Sequence, residues 1–119
     1  MPLNPRFTMA VYFSTTTPQT LLNAFKKAID DKHIVTWGYD ADGDFTHTAE
    51  QWKAQAWFRP LIKSGSLRFT IMKRKDSHVS PVVYAIYHGR LIETMLAHFD
   101  TVFTDGVATA KAQSDDMIS

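Results

Sequence analysis

The most regular stretch of the chain is PQTLLNAFKKAIDDKH, residues 18–33. Leu21, Leu22, Phe25, Ala28 and Ile29 recur at helical spacing, while Gln19, Asn23, Lys26, Lys27 and Asp30 fall on the opposite side. That pattern predicts an amphipathic helix with one buried face and one wet face. Thr17-Pro18 opens it, a hydroxyl cap followed by Pro at the first helical position.

Ser80-Pro81 repeats the opening signal, and VVYAIYHGRLIETMLAHF follows. Here the pattern is less clean. Val82, Ala85, Ile86, Gly89, Ile92, Leu96 and Phe99 form the main apolar stripe, and Tyr84, Tyr87, Leu91 and His98 project away from it. A helix apolar on two sides is either enclosed in the core or supports an interface. Two helices cannot easily envelop each other, so Tyr84, Tyr87, Leu91 and His98 are expected to meet a protein partner or a second copy of the chain. Gly89 costs about 1 kcal/mol in a helix interior relative to Ala, which suggests close packing beside it.

The remaining patterned segments are short and rich in β-branched and aromatic residues, and they read as strands. They are Phe7 to Phe13, Ile34 to Tyr39, Phe45 to Thr48, Trp57 to Ile62, Leu67 to Met72 and Thr101 to Thr109. Ala49 to Trp57 reads equally as a helical turn or a loop. Pro60 cannot donate to a ladder, which assigns its strand to a sheet edge. The predicted order is β-α-β-β-β-β-α-β. The predicted fold class is α+β, a mainly antiparallel sheet of about four to six strands with two helices on one face.

Composition narrows this little. The chain has 119 residues, which suits one domain over 1–119, and 45% hydrophobic with 21% charged residues is ordinary for a globular chain. Met9-Ala10 would also serve as a translation start, making Met1 to Thr8 a dispensable leader, and residues 111–119 read as a frayed tail. The absence of cysteine excludes a disulfide framework, a zinc ribbon and a thiol nucleophile. No signal peptide or spanning segment is apparent, so the cytoplasm is the expected location. No GxGxxG, GxxxxGK[ST], HExxH or GxSxG occurs, and no cofactor is expected.

The net charge of +1 is unevenly sorted. Residues 57–75 carry six basic residues and no acid, whereas residues 76–119 carry six acids against only Arg90 and Lys111. Arg68, Lys73, Arg74 and Lys75 form a basic patch that could touch nucleic-acid phosphates. The near-neutral total weighs against a dedicated nucleic-acid binder.

TWGYDADGDFTHT, residues 36–48, is the densest candidate site. Asp40, Asp42 and Asp44 alternate as in the start of a calcium loop. That loop needs Gly at its sixth position and Glu at its twelfth, whereas here Gly43 is fourth and Gln51 is twelfth. Asp and Gly suit a tight turn, and Trp37, Tyr39, Phe45 and His47 then alternate as cross-strand partners. A hairpin is the expected structure, with no metal. On the second helix His88, Glu93 and His98 step by five residues, about 140° each, and do not converge on one ligand.

Three function classes follow. The leading expectation is a small non-catalytic interaction module. An alternative is a small enzyme or ligand binder whose cleft gathers Tyr39, Asp44, His47, Trp57 and Arg59. The third is nucleic-acid binding through the basic hairpin.

Overall fold

A computed structural model describes residues 11–72 and 80–109. Its elements are β1 (Val11–Ser14), α1 (Pro18–Asp30), β2 (Trp37–Tyr39), β3 (Phe45–His47), β4 (Trp57–Lys63), β5 (Ser66–Met72), α2 (Pro81–Phe99) and β6 (Asp105–Ala108). The order is the predicted β-α-β-β-β-β-α-β. The six strands form one antiparallel sheet, ordered β2-β3-β4-β5-β1-β6. Residues 1–8 and 111–119, assigned as leader and tail, and Lys73, Arg74 and Lys75 of the basic patch lie outside the described residues.

Alternation along the strands builds a single core face. Val11, Phe13, Phe45, Phe58, Leu67, Phe69 and Ile71 are fully buried, and Trp37 nearly so. Both helices pack against this face. Phe25 of α1 stacks on Phe45 at 4.6 Å between ring centroids and meets Phe69 edge-on. Tyr87 of α2 sits edge-on to Trp37 at 5.7 Å. Offset and edge-on aromatic pairs add stability beyond the area they bury.

The DADGD stretch is the β2–β3 turn. Trp37 pairs with His47, Gly38 with Thr46 and Tyr39 with Phe45. Asp40 Oδ1 accepts the backbone N–H groups of Asp42 and Asp44, both at 3.0 Å, and Gly43 supplies a φ of +82°. This is the local chemistry that makes Asp and Gly turn residues.

Two local expectations change. Thr17 makes no side-chain cap on α1. Its N–H is taken by Thr15 Oγ1 at 3.0 Å, which itself donates to the Val102 carbonyl at 2.7 Å, tying the helix entry to the α2–β6 connection. Ser80 does cap α2, accepting from the Val83 N–H at 3.1 Å. β4 is also interior rather than an edge strand. Its pairing with β3 is confined to Phe45–Phe58, however, so at Pro60 only β5 flanks it. The edge condition holds for the residue and not for the strand.

Candidate functional site

The faces of α2 decide most of the functional question. Tyr87 and Leu91 are fully buried and Tyr84 is 7% exposed. Tyr87 Oη is also tethered. It donates to the Trp52 carbonyl and accepts the Gln55 N–H at 3.1 Å. These residues are core, not docking surface, and this corrects the expected interface. His98 alone of that group is exposed. The faces were exchanged because α2 is apolar nearly all round, so periodicity offered two stripes without ranking them.

The outward face is the other stripe. Val82 is 60% exposed and Leu96 53%, with Ala85 and Gly89 exposed between them. Val82, Gly89 and Leu96 are seven residues apart, so they run in line along the helix. A Cβ built at Gly89 would meet nothing within 4 Å. Packing among the described residues thus gives no reason for a glycine there. Two cavities flank this point, an apolar one of about 420 Å³ between α2 and β6 and a mixed one of about 360 Å³ beside Ile86, Arg90 and Glu93.

The five residues expected in one polar cleft do not share one. Asp44 is 3% exposed and holds Arg59 through two parallel bonds, Nε–Oδ1 at 3.0 Å and Nη2–Oδ2 at 2.9 Å. Arg59 and Trp57 alternate with the buried Phe58 and so lie on the sheet face away from the helices. Tyr39 donates to Asp30 at 2.7 Å. His47 lies on the helix side, 4.9 Å from the Trp37 ring. Asp40, Asp42 and Asp44 bring carboxylate oxygens within 4.8 Å of one another. The turn hydrogen bonds to Asp40 and the Arg59 pair to Asp44 account for that proximity.

His47 has different company. It lines a cleft of about 210 Å³ with Thr36, Gln51, Trp52, Arg90, Glu93 and Thr94. Burial lowers its pKa, the Arg90 charge lowers it further, and Glu93 opposes both. Arg90 and Glu93 meet at 3.5 Å across an exposed i,i+3 step. Sequence spacing alone did not bring His47 to Arg90 and Glu93. The signal was hidden in Ala49 to Trp57, whose turns carry Gln51 and Trp52 to α2.

A second buried histidine is His88, 2% exposed. Its Nδ1 lies 2.8 Å from the Tyr84 carbonyl, which can only accept, so the neutral ring carries its proton on Nδ1. Nε2 is then a buried acceptor without a partner among the described residues. Burial drives this pKa down to about 4, against a small opposing effect of the Tyr84 carbonyl.

In the proposed basic patch, Arg68 lies over the Tyr12 ring at 5.3 Å, and its Nε is buried without a partner among the described residues. Phe58 on the neighbouring strand β4 is fully buried and offers no stacking surface for bases. Among the described residues, no helix is long and apolar enough to cross a membrane. No protein-family model, curated protein or solved structure matches this chain.

Proposed function

We propose that this domain is a non-catalytic interaction module that docks a protein partner through the outward stripe of α2, a second copy of the chain being the simplest occupant. The observation that carries this reading is the exposed line Val82–Gly89–Leu96, with Gly89 facing open space. Apolar side chains left in water on a helix gain by being covered. A glycine between them lets another backbone approach closely.

Two-fold symmetry suits this line. Gly89 is seven residues from both Val82 and Leu96. Antiparallel helices crossing at Gly89 would therefore set Val82 of each against Leu96 of the other. A cytoplasmic location belongs to the same proposal.

Sedimentation across a concentration series tests it. Wild type is expected to be dimeric at micromolar concentration, and Val82→Glu and Leu96→Glu are expected to be monomeric and folded. A wild type that remains monomeric throughout removes the self-docking reading.

A further inference from the structure

We propose that the cleft between β3, the Ala49–Ala56 turns and α2 binds a small carboxylic acid bearing a hydrogen-bond donor beside its carboxylate, the amino- and hydroxy-acid class. The proposal rests on the cleft alone and not on the docking face of α2.

His47 supplies the first contact. The residue is 97% shielded, being 3% exposed, yet it lines the cleft. Its Nδ1 accepts the Ala49 N–H at 3.1 Å. That bond fixes the tautomer, so the neutral ring carries its proton on Nε2. Nε2 has no partner among the described residues, and it is not among the side-chain atoms sealed from water. It is a donor held in place, with a cavity as its outlet.

Arg90 supplies the second. Its contact with Glu93 is long, at 3.5 Å, and among the described residues most of the guanidinium donors have no other partner. A carboxylate can accept from His47 Nε2 with one oxygen and from Arg90 with the other. Glu93 then selects among anions. Its negative charge opposes a phosphate dianion, while it accepts a hydrogen bond from an ammonium or hydroxyl next to the ligand carboxylate. Trp52 is half-buried and forms an aromatic wall. A volume of about 210 Å³ suits a metabolite smaller than drug-sized ligands.

The test uses the full chain labelled with ¹⁵N. Imidazole resonances of His47 and the indole resonance of Trp52 are followed during titration with glycine, lactate, acetate and inorganic phosphate. Glycine and lactate are expected to shift both residues and to saturate in the millimolar range, with acetate weaker. Arg90 is exposed, so Arg90→Gln should fold. It is expected to weaken binding by about tenfold or more and to raise the titration midpoint of His47. Val82→Glu should bind as wild type does, which separates this site from the docking face. No shift at His47 with any ligand overturns the site. Phosphate binding tighter than glycine, or acetate equal to glycine and lactate, overturns the ligand class.

Discussion

Two glycines show how a single residue type answers to different causes. Gly106 of β6 lies opposite Phe13 of β1, and a Cβ there would fall 2.8 Å from the Phe13 ring. Phe13 is fully buried and already meets Phe69 and Phe103, so it has little room to move aside. Gly106→Ala is expected to cost roughly 1–3 kcal/mol through overpacking. Gly89 is the reverse case. With open space around it, Gly89→Ala should stabilise the isolated fold by about 0.5–1 kcal/mol through helix propensity. Urea denaturation of the two variants checks both signs. A Gly89→Ala protein less stable than wild type would mean that close packing at this site is already present.

The helices and strands were legible where chemistry is local. α1 has one apolar side, and Leu21, Leu22 and Phe25 are the buried residues that its spacing named. The β2–β3 hairpin was readable because Asp-Gly turn chemistry and aromatic alternation agreed on one register. α2 was readable as a helix and unreadable in its orientation. Val83, Tyr84, Tyr87, His88, Leu91 and Met95 face inward, and no polar stripe marks the side opposite them. The candidate cleft was legible in part. His47 was named, and Thr36 belongs to the same hairpin, but its neighbours Arg90 and Thr94 come from α2, far away in sequence, and only tertiary packing joins them. The caps carry the same lesson. Ser80 and Thr17 precede Pro alike, yet only Ser80 accepts a helix N–H. Ser80→Ala should cost about 1 kcal/mol, and Thr17→Ala should cost less than half of that. Equal losses in thermal denaturation would contradict the cap assignment.

At the scale of the whole molecule, the interior has been tuned to hold histidine uncharged. His88 lies against Phe58 at 5.0 Å and stacks on Tyr84 at 3.9 Å between centroids, and no carboxylate contacts it among the described residues. Its folded-state pKa is about 4, while the unfolded chain titrates near the ordinary 6.5. Between these values the unfolded state binds a proton that the folded state refuses. Stability therefore rises with pH across this window and is lost as pH falls from 6.5 towards 4. A shift of this size corresponds to roughly 3 kcal/mol of folding free energy between the ends of the window. His47, whose pKa is also lowered, adds to the loss in the same direction. Asp31 does not confuse the measurement, because its lowered pKa places its own loss below 3.8. His88→Phe keeps a ring of similar shape and removes the unpartnered Nε2. Urea midpoints measured from pH 7 to pH 4.5 should fall steeply for wild type and less steeply for this variant. Parallel slopes would show that the His88 ring takes up its proton in the folded protein as readily as in the unfolded chain, and the burial argument would fail with them.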